Sequence, residues 1–153
     1  YEIELGLVGS EMCIRDRDIN KVLPTVIART VYEIPYCYGN VSHNKTGNFV
    51  TTNVTRKWPK TSASSTIVIE TDEPTDGDLE RFLTARWGLI AKSKRNKFLW
   101  GQVDHPPWQL HNARLLHLDD SLVTAAGLPE PEGTPHVMYS EGVPVRIGWP
   151  KKV

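Results

Sequence analysis

The 153-residue chain has 18 basic and 18 acidic side chains, so its formal net charge is zero, and 39% of its residues are hydrophobic. Such a balance offers no clustered positive face for nucleic acid, and no apolar run approaches the roughly 18 residues that span a bilayer. The length suits one domain with a real core.

The first stretch is anomalous. "GLVGSEMCIRDR", residues 6–17, sets Met12, Cys13 and Ile14 among charges with neither a helical nor an alternating period. From Leu7 to Asp16 its codons can be written CTC GTG GGC TCG GAG ATG TGT ATA AGA GAC, which resembles the transposon-end adaptor of sequencing libraries. Residues 1–17 are therefore expected to be an artefactual, adaptor-derived segment, set aside before fold reasoning. The remainder, 18–153, reads as the C-terminal part of a single domain truncated at its N-terminus. Removing Glu2, Glu4, Glu11, Asp16, Arg15 and Arg17 leaves 16 basic and 14 acidic residues, a charge of +2, and leaves Cys37 as the single thiol. A lone thiol suits a reducing, cytoplasmic compartment.

Apolar residues at Leu23, Val26, Ile27, Val31 and Ile34 have the spacing of one helix face and predict a helix over 23–33. Pro24 suits its first turn, and Pro35 ends it. "YCYGNVSH" and "GNFVTTNVTRKW", with "NKTG" between them, predict a β-hairpin. "STIVIET" predicts a short strand broken by "DEPTDGD". A second helix is expected over "DLERFLTARWGLI", with Leu79, Phe82, Leu83 and Trp87 on one face, Asp76 or Asp78 as N-cap and Gly88 as its stop. "LIAKS" and "KFLWGQVDH" predict another hairpin around "KRN", whose cluster Lys92, Lys94, Arg95 and Lys97 reads as a solvated tip or a phosphate grip. "QLHNARLLHLDD" predicts a strand. A short helix over "DDSLVTAAGLP" follows, with an Asp N-cap and Gly127 at its C-terminus. "PHVMYS" and "VPVRIGW" predict two last strands. Strands outnumber helices, so the expected class is α+β with a mostly antiparallel sheet or barrel and two or three helices.

Four segments, "ARTVYEIPYCYGNVS", "FLTARWGLIAK", "HPPWQLHNARL" and "AAGLPEPEGTPHVMYSEGVPVRIGWP", together resemble the YqjF-like bacterial proteins, the family labelled domain of unknown function 2071. The resemblance implies a barrel like that of acetoacetate decarboxylase. In that enzyme a helix ends in a Gly-x-Pro turn followed by a lysine pair, one of which forms a Schiff base. Here Pro35 is followed by Tyr36, Cys37 and Tyr38, so no lysine carries over. A Schiff-base lysine must be unprotonated near neutral pH, a shift of about three units or roughly 4 kcal/mol, and Lys45 and Lys94 have no evident source of it. Schiff-base decarboxylation is not expected.

The ligand-binding candidates are Tyr36, Cys37, Tyr38, His105 and Trp108. The Pro35 turn would deliver Tyr36 and Tyr38 into a strand on one face, with Cys37 on the other. Cys37 reads as a nucleophile or as a small buried hydrophobe. His105, in "DHPPW", reads as an oriented base or as a hydrogen-bonded structural histidine. Tyr36, Tyr38, Trp100, Trp108 and Tyr139 read as a cavity lining or as ordinary core. His105, His111 and His117 recur at six-residue intervals across Pro106 and Pro107, without the close His-x-His or His-x3-His spacing of metal sites, so neither metal nor cofactor is expected. The favoured function is small-molecule binding. An enzyme acting on a small carbonyl or carboxylate compound, and a structural or interaction module, are the alternatives. No nucleic-acid or membrane partner is expected.

Overall fold

The computed structural model describes residues 17–59, 62–92 and 97–152, together with the backbone of 11–13. In chain order the elements are β1 (Glu11–Cys13), β2 (Arg17–Ile19), α1 (Val22–Thr30), β3 (Tyr36–Thr46), β4 (Phe49–Trp58), β5 (Ser64–Thr75), α2 (Asp78–Thr84), β6 (Gly88–Lys92), β7 (Phe98–Asp104), β8 (Leu110–Asp120), α3 (Leu122–Ala125), β9 (Met138–Tyr139), β10 (Arg146–Ile147) and β11 (Lys151–Lys152). One sheet runs β2-β3-β4-β5-β8-β9, parallel at β2–β3 and antiparallel at every other pairing. The other runs β1-β6-β7, and the short strands β10 and β11 both pair antiparallel with β7. The chain is α+β, and its sheets curl into a half-barrel.

The first hairpin forms as its composition requires, turning at Gly47, whose positive φ of 59° suits glycine. At its root Gly39 stands opposite Arg56, and a Cβ there would lie 2.6 Å from the Thr55 carbonyl oxygen. The bare backbone of Gly39 leaves that face of β3 clear. The Arg56 side chain crosses to β2, where Nε and Nη2 donate to the two carboxylate oxygens of Asp18 at 2.8 and 2.7 Å. Arg56 is 1% exposed, making this a buried two-pronged ion pair across three strands.

The core is split. Ile34, Leu89, Ala91 and Val103 form one cluster against Tyr32 and Tyr36, while Val50, Ile69 and Tyr139 form another. Both back onto the space between the sheets.

Five expectations are corrected. Helix α1 stops at Thr30 instead of 33, because Glu33 takes φ 51° and so cannot continue a right-handed helix. Strand β5 continues through "DEPT" to Thr75, absorbing Asp72 and Glu73 as an irregularity between the Thr71 and Pro74 pairings. Helix α2 is capped by Gly77, while Asp76 instead pairs with Arg81 through two bonds of 2.7 and 2.6 Å. Gly88 opens β6 and does not stop α2. For α3, Ser121 occupies the cap position, although Asp120 still accepts a bond from the Val123 N–H at 3.2 Å. Lys94 and Arg95, the tip of the second hairpin, lie outside the described residues. No described helix is long and apolar enough to cross a membrane.

Candidate functional site

Between the sheets lies a cavity of about 410 Å³. Tyr36, Leu110, Met138 and Tyr139 line it from the first sheet, and Leu89, Val103 and Ile147 from the second. Leu83 and Thr84 of α2 close part of the rim, with Trp108 and His105 from the "DHPPW" segment. Among the described residues its charged lining consists of Arg17 and Arg86, with no aspartate or glutamate.

Local chain chemistry explains how these side chains arrive. After α1, the Ile34 N–H bonds back to the Ala28 carbonyl at 3.0 Å, and Ile34 drops into the core before Pro35. Arg29, from the helix's last turn, donates to the Tyr36 carbonyl at 2.7 Å and lies over the Trp58 ring at 4.5 Å. The turn is thereby tied to β3, and Tyr36 enters the strand facing the cavity. Alternation then buries Cys37 on the other face, at 1% exposure, with its Sγ 3.7 Å from the Pro35 carbonyl oxygen.

His105 sits beyond the end of β7, where Pro106 and Pro107 hold the chain extended. Its ring stacks on Trp87 at 4.5 Å between centroids and 16° between planes, and meets Trp108 edge-on at 6.0 Å. Nδ1 is 2.8 Å from the Pro106 carbonyl oxygen and Nε2 is 3.2 Å from that of Arg86. Both neighbours are acceptors and a neutral imidazole carries a single N–H, so in that form the ring donates to one of the two carbonyls, the tautomer deciding which.

Three of the five expected residues therefore meet in one cavity: Tyr36, His105 and Trp108. Cys37 and Tyr38 are not among its lining, nor is Trp100, whereas Tyr139 is. Arg86 and Trp87 were missed because they read as helix, while the chain leaves the helix after Thr84 and turns Trp87 onto His105. Arg17 was missed because it falls in the stretch read as foreign.

Tyr139 also borders a second, polar cavity of about 360 Å³ lined by Lys45, Asn48, Thr71, Asp72, Glu73 and His111. Burial pushes its phenol above the ordinary tyrosine range, and Glu141 adds to the shift. Lys45 lies over the ring at 4.7 Å and pairs with Glu141, which holds that carboxyl below its usual range. His43 stacks on the same ring at 6.2 Å. His111 points Nδ1 at the Asp72 carbonyl at 3.2 Å, and the described residues contain no group of three or more His, Cys, Asp or Glu side chains placed to hold a metal.

These features define a half-open α+β barrel wrapped around an apolar cavity with a cationic margin. The chain belongs to the family labelled domain of unknown function 2071, described as "Uncharacterized conserved protein", whose profile matches residues 14–144. It is 28% identical over 136 residues to "Uncharacterized protein YqjF" of Bacillus subtilis (strain 168), a match covering 87% of this chain and 55% of that protein. The chain thus spans about half the length of the curated relative it matches. No solved structure gives a significant match.

Proposed function

We propose that this protein binds a small molecule in the cavity between its two sheets, a compact and largely apolar compound carrying one acidic group. The observation that supports this is the lining itself: apolar and aromatic side chains with Arg17 and Arg86, and no carboxylate among the described residues. Its volume falls in the range of about 300–1,000 Å³ common to small-ligand sites. Tyr36 and Tyr139 add aromatic surface beside that charge, and Ser140 a hydroxyl donor.

An enzyme working on a small carbonyl or carboxylate compound would need a nucleophile or base in the same space. Both His105 ring nitrogens face backbone carbonyls, at 2.8 and 3.2 Å, Cys37 is not among the lining, and the described lining includes no lysine. Binding without chemistry is the simpler reading, in a cytoplasmic protein whose buried Cys37 suits a reducing compartment.

The test is a calorimetric screen of small aromatic and branched aliphatic carboxylates against the matching alcohols. Carboxylates should bind more tightly, and Leu89→Trp, which fills the cavity, should abolish the heat while preserving the far-UV spectrum. Equal affinity for acids and alcohols would remove the charge argument. Binding that survives Leu89→Trp would place the ligand elsewhere.

A further inference from the structure

Helices α1 and α2 are both turned with the wrong side out. In α1 the residues that face the protein are small, Thr25 and Ala28, whereas Val22, Leu23, Val26, Ile27 and Val31 are 37–69% exposed. In α2 no residue is buried. Leu79, Phe82 and Leu83 are 42–57% exposed, while the acidic Glu80 is turned inward to meet the His136 Nε2 at 3.2 Å. A surface helix in water normally does the opposite, burying its apolar stripe and solvating its charges. Single exposed leucines need no explanation, but two helices that each present a whole apolar face do.

We infer that these two faces are the seat of a further segment of the same polypeptide, the one by which the longer Bacillus subtilis relative exceeds this chain. About 45% of that relative lies outside the match, although the match takes in most of this chain. The family profile itself extends across both helices. A segment of that size is ample to cover two short helices, and covering them turns their polarity from inverted to ordinary. The cavity rim would be completed at the same time, since Leu83 and Thr84 of α2 belong to it.

The inference makes one pair of substitutions behave oppositely in two proteins. In the 153-residue chain, Leu23→Glu with Ile27→Glu should leave the unfolding equilibrium nearly unchanged, because both side chains already meet water. At the aligned positions of the full-length relative, the same pair should raise the unfolded fraction on the order of a hundredfold, as burial of two large aliphatic side chains is lost. Hydrogen exchange should follow, with the α1 and α2 amides protected in the relative and open in the short chain. A relative that tolerates both glutamates would overturn the inference. So would a discrete dimer of the short chain that the glutamates dissociate, because the face would then belong to a second copy.

Discussion

Replacing Asp18 by Asn removes one charge from the buried pair with Arg56 while keeping nearly the same shape. The guanidinium is 1% exposed and the carboxylate side chain 10%, so water cannot take over the lost role. Two bonds of 2.8 and 2.7 Å become at best one, since the amide retains a single acceptor oxygen. Breaking a buried pair from one side costs about 3–5 kcal/mol. The retained acceptor places Asp18→Asn near the lower end, about 3 kcal/mol. For a chain of this size each kcal/mol lowers the melting temperature by about 2–4 °C, so a fall of roughly 10 °C is expected. Urea unfolding monitored by tryptophan fluorescence gives the free energy directly. The double replacement Asp18→Leu with Arg56→Met removes both charges and should recover most of the loss, to within about 1 kcal/mol of the parent. A cost below about 1 kcal/mol for Asp18→Asn would mean that the pair behaves as a solvated surface contact, and the account of β2 as tied across β3 would fail.

Gly39→Ala should cost roughly 1–3 kcal/mol, because the added methyl would meet the Thr55 backbone carbonyl at 2.6 Å and force β3 and β4 apart. A variant with parental stability would show that this hairpin end yields freely. Spectrophotometric titration should find the Tyr139 phenol ionising above the ordinary tyrosine range, identified by its absence in Tyr139→Phe. A raised native pKa means that this contribution to stability is complete below the unfolded value of about 10 and is lost as pH climbs through the native one. Glu141 has the opposite sign: its carboxyl is held low, so its contribution is complete above the unfolded value and lost as the solution is acidified through the native one. A Tyr139 that titrates with the remaining tyrosines would contradict its burial.

From α1 to β10 the order and type of the elements were legible because hairpin turns and short apolar runs are local signals, whereas β1 and β2, in or beside the stretch read as neither helix nor strand, and the two-residue β11 were not. Gly47 turned a hairpin and Gly127, at φ 81°, closed α3. Burial was less legible. The spacing of Leu23, Val26 and Ile27 is that of a core-facing stripe, yet it points to solvent, because periodicity tells which residues share a face but not where that face is turned. The site was half legible for a related reason. Tyr36, His105 and Trp108 stood out by their neighbours in sequence, and one cavity does collect them. Tyr38 shares the strand face of Tyr36 but lies two residues on, beside Trp58 in the register and beyond the cavity's reach. Arg86 enters through its carbonyl bond to His105, a contact across 19 residues that no local pattern announces.

The pairing of β7 has a consequence in time. Its residues Val103 and Asp104 bond to Ile147 and Arg146, and Leu99 and Trp100 to Lys152 and Lys151. During synthesis at about 5–20 residues per second, β7 must wait roughly 2–9 s for these partners to be made. Until then one edge of the strand is bare, open to wrong pairing and to chaperones that recognise extended chain. The cavity waits with it, since Val145 and Ile147 form part of the wall. Any ligand is therefore enclosed only after residues 145–147 have been laid down, well behind β7.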